Sequence, residues 1–181
     1  MNSAARAALL DALEGFTLKY PRRSVADTIR RFVETEEQWW CRHNTRGHIT
    51  ASAWIISPDR DQAVLVHHRK LLRWLQPGGH IDGDASVFEA ALREAREESG
   101  LTSLQPLPSG IFDIDIHTIP ARPDFPAHDH LDIRFALEGD PTEPPTCSAE
   151  SNDVRWWPLH ALSDSVTDTS VLRMVELSRS L

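Results

Sequence analysis

The chain has 181 residues, 40% of them hydrophobic, with a formal net charge of −8 and a pI near 5.5. That is enough for one domain with an appendage. The acidic balance excludes broad nonspecific nucleic-acid binding but leaves a single nucleotide as a ligand. No stretch is long and apolar enough to span a bilayer, so no membrane partner is expected. The N-terminus meets Asp11 and Glu14 early and lacks a secretory pattern. Cys41 and Cys147 form no metal or redox motif, and reduced thiols in a cytoplasmic protein are expected.

In chain order, Leu9, Leu13 and Phe16 mark one amphipathic helix, broken at Lys19-Tyr20-Pro21. A second helix starts after Ser24 with Ile29, Phe32 and Val33 on its apolar side. Residues 1–45 thus form an N-terminal helical extension to a domain over 46–181. The extension could cover the sheet, build a homodimer contact or shape the substrate entrance; a packed cap is the favoured reading. Strands follow at His48–Ile56 and Ala63–His67, separated by the turn Ser57-Pro58-Asp59-Arg60-Asp61. Further strands are predicted at about 110–117, 131–137 and 154–157. Proline-bearing loops lie at 119–128 and 138–148, and a closing helix over 171–177. A mixed sheet with helices on both faces fits this order.

The most informative stretch runs from Gly78 to Leu101. Ser86-x-x-Glu89 is a capping box and Gly100 sits where a left-handed C′ residue belongs, so a helix is predicted over 87–99. On it Phe88, Leu92, Ala95 and Ser99 share a packing face, while Glu94, Glu97 and Glu98 share another through i, i+3 and i+4 spacing. Carboxylates held so closely repel unless a cation sits among them, and hard divalent ions such as Mg²⁺ choose carboxylate oxygens and accompany phosphates. Before the helix, Pro77 to Asp84 reads as a loop with three glycines. Glycine lets the backbone approach a metal or phosphate closely. Taken alone, a Glu-rich helical face is usually just solvated, with Arg93 in an i,i+4 pair with Glu97. The glycine loop in register before it favours the metal site.

Histidine is the second signal, with nine in the chain. Strand alternation would point His128, His130 and Asp132 to one face, a row able to bind a transition metal or contact phosphate; surface residues or partners for backbone groups are the favoured reading. His67 and His68 face opposite sides, so at most one faces the site. Arg69, Lys70 and Arg73 could hold substrate phosphates, with exposed charges equally weighted. Trp74 is read as core packing rather than a stacking platform.

The run Gly79 to Leu101 resembles the Nudix hydrolase family, whose pattern is G-x5-E-x7-R-E-U-x-E-E-x-G-U, with U a bulky apolar residue. Gly79, Arg93, Glu94, Glu97, Glu98, Gly100 and Leu101 match in register. Ala85 stands where the first Glu belongs, and Ala95 is smaller than the usual residue. In the family that Glu often pairs with the motif Arg; Asp84 or Asp82 could replace it, or Arg93 could pair with Glu97 or Glu89. The resemblance extends to His48–Trp54 and Asp153–Leu159, covering roughly residues 46–165. It implies an α/β/α sandwich with a mixed sheet. It also implies a Mg²⁺- or Mn²⁺-dependent hydrolase of a diphosphate linkage in a nucleoside diphosphate linked to a moiety X. By the same resemblance Glu94, Glu97, Glu98 and the Gly79 carbonyl hold metal, with Glu97 and Glu98 the principal ligands. Glu94 orients or deprotonates water, Arg93 positions the carboxylates, and His80 touches substrate. Glu150 or Asp153 is a candidate acidic residue outside the box. Ala85 favours a second reading, a non-catalytic module binding a nucleotide or phosphometabolite. A third, an isopentenyl-diphosphate isomerase, shares the Gly79-His80 pair but needs a Cys where this chain has Gly78.

Overall fold

The computed structural model describes residues 3–19, 22–166 and 168–181. The elements are α1 (Ser3–Lys19), α2 (Arg23–Thr35), β1 (Gly47–Ile56), β2 (Gln62–His68), β3 (Arg73–Leu75), β4 (Gly78–His80), α3 (Val87–Ser99), β5 (Gln105–Ile119), β6 (His128–Glu138), β7 (Ser151–Pro158), α4 (Leu159–Ser165) and α5 (Thr169–Ser178). β1 is the central strand and is buried throughout. It runs parallel to β6, with His48 beside His130, Thr50 beside Asp132 and Ser52 beside Arg134. β5 closes antiparallel on β6. On its other side β1 pairs first with β4, Ala51 beside Gly79, and then with β2 at Ile56. β2 carries β3 and β7, both antiparallel. One parallel pair among antiparallel ones makes the sheet mixed.

Period-two alternation along β1 assigns the layers. Ile49 and Ala51 join a cluster with Leu9, Leu13 and Phe16 of α1, Ala26, Ile29 and Val33 of α2, and Ala90 and Ala91 of α3. Ala53 and Ile55 pack with Ala95 of α3 and Val64 and Val66 of β2. Trp54 and Ile56 point the other way, onto Leu162 of α4 and Val171 and Met174 of α5. Helices on both faces give the expected α/β/α sandwich. The N-terminal helices are tied to the sheet by a bond from the Ile49 amide to the Trp39 carbonyl at 2.8 Å, with Trp39 itself buried. The break expected at Tyr20-Pro21 lies outside the described residues. No described helix is long and apolar enough to cross a membrane.

The departures have local causes. Part of the segment read as a glycine loop is a strand, β4; three residues are too few to show a period. The same holds for β3. β5 begins earlier than its apolar run, because Pro106 and Pro108 mask its first half. Prolines are tolerated there since β5 is an edge strand, and its register shifts between Pro106 and Ile111.

Candidate active site

Helix α3 is set by its caps. The Ser86 side chain accepts from the Glu89 amide at 3.1 Å. Gly100 is left-handed at φ 71°, and its amide bonds the Arg96 carbonyl at 2.8 Å. Ala90, Ala91 and Ala95 are fully buried, so α3 can lie close on β1; that is the structural reason for a small residue at position 95. Phe88 and Leu92 are only partly buried, at the edges of the packing face.

The glutamates do not share one environment. Glu98 is buried at 8% exposure and accepts from the Gly78 amide at 2.9 Å. Glu94 and Glu97 both accept from Arg93 Nη1, at 2.8 and 2.9 Å. Burial pushes the Glu98 carboxyl up to about 7, with neighbouring Glu94, Glu150 and Glu97 adding to the effect against the Gly78 bond. Burial also raises Glu94, with Arg93 opposing and Glu97 and Glu150 reinforcing. Crowded, partly desolvated carboxylates gain from a cation among them, and this donor set is oxygen only.

Space is tight at both Gly78 and Gly79. A methyl group on Gly79 would lie 2.6 Å from Cδ of Glu94, and one on Gly78 would lie 2.8 Å from Cβ of Ser52 and 2.9 Å from the Ala51 carbonyl. β4 therefore seats against β1 on one side and against the Glu94 carboxylate on the other. At Gly78 this is a backbone approach that only glycine permits, whereas at Gly79 the obstacle is the end of the Glu94 side chain.

Arg93 gathers the loop and helix. Its Nε donates to Asp84 at 3.0 Å and its Nη2 to the His80 carbonyl at 2.8 Å. Asp84 thus supplies the pairing absent at Ala85, whereas Asp82 pairs with Arg42.

The other candidates separate. Glu150 is close enough to raise both Glu94 and Glu98, while Asp153 is engaged by Arg155. His68 feels Glu150; His67 is turned to Trp74, the ring centroids 5.2 Å apart. Arg69 and Arg73 are exposed, and Arg73 reaches Asp168 at 3.8 Å rather than any of the three box glutamates. Trp74 packs edge-on to Trp157 at 5.0 Å, with the Arg155 guanidinium 4.9 Å above its ring.

His80 accepts from Arg42 at Nδ1, 2.7 Å away, and its ring points into a histidine cluster. His128 and His130 do lie together there, as the alternation predicted, with centroids 5.3 Å apart. Asp132 is not in the group. It is buried one step further along, accepting from Thr50, Ser52 and Arg134, and His48 takes its place in the cluster.

Below Asp132 lies a network missed in the sequence. Arg134, 2% exposed, pairs with Asp132 at 2.7 Å, Asp113 at 3.0 Å and Asp115 at 3.4 Å. Arg173 of α5 and Arg22 complete the charge balance on Asp113 and Asp115. The alternating polar positions 113, 115 and 117 on β5 and 130, 132 and 134 on β6 were its available signal.

A family model described as NUDIX domain matches residues 46–177. A hydrolase of the NUDIX family from Clostridium perfringens superposes with a TM-score of 0.54 and 25% identity, covering 73% of this chain and 96% of its own. A C. elegans Ap4A hydrolase binary complex gives 0.58 and 15%, over 73% and 95% of the two chains. The NUDIX domain of Shewanella oneidensis NrtR complexed with ADP ribose gives 0.52 and 18%, over 83% and 96%. Sequence comparison with curated proteins finds no match. The family model spans most of the chain, the glycine-bearing segment and α3 included, so the chain belongs to the Nudix hydrolase family.

Proposed function

We propose that the chain is a Mg²⁺- or Mn²⁺-dependent hydrolase cleaving a diphosphate linkage in a nucleoside diphosphate joined to a moiety X. The observation that carries this reading is the setting of Glu94 and Glu98 against Gly79 and Gly78, with Glu97 gathered to the same face through Arg93. Glu97, Glu98, Glu94 and the Gly79 carbonyl would hold the ion. When bound, such an ion neutralises phosphate oxygens and lowers the pKa of a coordinated water.

The chain's own residues have distinct tasks. Water forms the new P–O bond as the bridging P–O bond of the diphosphate breaks, and the departing group leaves as a phosphate. The proton released goes to a carboxylate, and Glu94 is the proposed acceptor. Glu150 is the alternative acceptor, since it lies near enough to influence both Glu94 and Glu98. Arg93 holds Glu94 and Glu97 in place and does not react. His80 is proposed to border the substrate through the loop that Arg93 fixes. Arg69 and Arg73 are proposed as mobile contacts to the distal phosphate or moiety X. Ala85 was the feature favouring a non-catalytic binding module, and the Asp84–Arg93 pair weakens that ground.

The test is phosphate-ester release from a panel of diphosphates, with Mg²⁺, Mn²⁺ or EDTA, comparing wild type and Glu98→Gln. Ap4A and ADP-ribose belong in the panel because structural neighbours are named for them. Metal-dependent turnover lost in the variant is the expected result. No turnover with any compound, alongside metal-dependent ligand binding, would move the reading to the binding module.

A further inference from the structure

The sheet face opposite α3 carries a second group of ligating side chains that the carboxylate chemistry does not use. His48 of β1 stands beside His130 of β6 in parallel register, and His128 precedes it by two on the same face. The His48 ring lies 5.2 Å from that of His128, stacked at 25°, and 4.7 Å from that of His130. One ring nitrogen from each of the three lies within 4.8 Å of the others, the one such grouping of His, Cys, Asp or Glu among the described residues.

Two observations point to a ligand. His48 is 0% exposed, and neither of its ring nitrogens makes a hydrogen bond of normal geometry; the Asn44 backbone interacts with the ring and favours its protonated form. A fully buried imidazole whose nitrogens lack a well-formed hydrogen bond is rare unless something else satisfies it. His128 has its Nδ1 3.0 Å from the Pro126 carbonyl. A carbonyl only accepts, so Nδ1 carries the proton and Nε2 is left with a free lone pair. This is the backing that orients a metal-ligating histidine. His80 is different. Arg42 donates to its Nδ1, so the neutral ring keeps its proton on Nε2 and has no lone pair to offer. It borders the cluster without joining it.

We propose that His48, His128 and His130 bind a transition-metal ion, Zn²⁺ being the best match, with water or His117 in the fourth position. The His117 ring is 5.3 Å from that of His130. An all-imidazole donor set suits Zn²⁺ and disfavours Mg²⁺. Tetrahedral Zn–N bonds of about 2.0–2.1 Å place the nitrogens about 3.4 Å apart, so small ring rotations close the sphere. The ion would clamp β1 to β6 where the 120–127 loop returns. This site goes beyond the hydrolase reading and does not depend on it.

The experiment is calorimetric titration of Zn²⁺ into metal-stripped protein in excess Mg²⁺, with Tm measured in parallel. Wild type should bind one equivalent of Zn²⁺ and gain Tm. His128→Ala and His130→Asn, shown folded by circular dichroism, should weaken binding at least about 100-fold, and Glu98→Gln should bind as wild type does. His128 is only half-buried, so its replacement tests the site without opening the core. Any other pattern overturns the proposal: no Zn²⁺ binding in excess Mg²⁺, or binding that Glu98→Gln abolishes and His128→Ala leaves intact.

Discussion

Asp84 accepts from Arg93 Nε at 3.0 Å, one residue before the alanine that replaces the first glutamate of the box. The aspartate side chain is shorter than glutamate's, yet the loop turn brings it to the same guanidinium. Asp82 has φ 42° and Gly83 φ 98°, and the Asp84 amide bonds the Ile81 carbonyl at 3.0 Å. Asp84→Ala should therefore free one edge of Arg93 and loosen its hold on Glu94 and Glu97. Outer residues that orient a site are worth about 10–100-fold in activity or metal affinity, and a fall of that size in kcat/KM is expected. Ala85→Glu in the Asp84→Ala background should recover part of it. Full activity in Asp84→Ala would show that Arg93 needs no anchor on the loop.

Gly79→Ala and Gly78→Ala should fail in different ways. At Gly79 the added methyl meets the end of the flexible Glu94 side chain. The fold should tolerate this, with Tm nearly unchanged, while displacement of Glu94 costs about 10²-fold or more in turnover. At Gly78 the methyl meets Ser52 and the β1 backbone, so β4 must shift and take the Glu98 bond with it. A loss of about 1–3 kcal/mol in stability is expected there. Urea unfolding beside turnover separates the two. Equal destabilisation by both would sink the distinction.

How much could be read beforehand follows the range of each signal. The capping box, Gly100 and the glutamate spacing are local, and α3 appears with the bounds they set. The five longer strands were visible from apolar runs. Asp84 as the partner of Arg93 was one of several open choices, because it depends on the path of a loop. The environment of Glu98 was not legible at all, since its burial comes from β4 returning beside β1. His48 was missed for a similar reason. It is eighty positions or more from His128 and His130, and the parallel register of β1 and β6 brings them together. No periodicity within either strand contains that register.

Arg134 illustrates the same long-range dependence and its energetic weight. It is the centre of a buried ion network whose partners Asp113 and Asp132 are themselves almost wholly buried. Arg134→Met keeps much of the volume but removes one ion-pair partner from each of those carboxylates. Removing one member of a buried pair typically costs about 3–5 kcal/mol, and a loss of that order is expected in urea unfolding. Asp113 retains Arg173, so the unpaired charge falls mainly on Asp132, and the loss should shrink in Arg134→Met with Asp132→Asn. A loss under about 1 kcal/mol in the single variant would show that the network contributes little.

Glu143 offers a pH-dependent test away from both clusters. Its carboxylate accepts from the Ser103 hydroxyl at 2.6 Å, the Thr102 amide and hydroxyl at 2.8 Å each, and the Ser103 amide at 3.2 Å. The Ser103 hydroxyl bond, then those from Thr102, hold it at about 2 against an ordinary 4.5. The folded state therefore binds this proton less readily than the unfolded chain does. The stabilisation is fully present above 4.5 and is lost as pH falls towards 2. Glu143→Gln mimics the protonated acid. Its Tm should lie below wild type at pH 7, and the gap should narrow steadily as pH falls through this window. These bonds join the segment after α3 to the loop that leads to Glu150, and the Thr146 amide adds a second tie to the Ser99 carbonyl at 2.7 Å. A gap in Tm that stays constant with pH would mean that the shape of the side chain matters here and its charge does not.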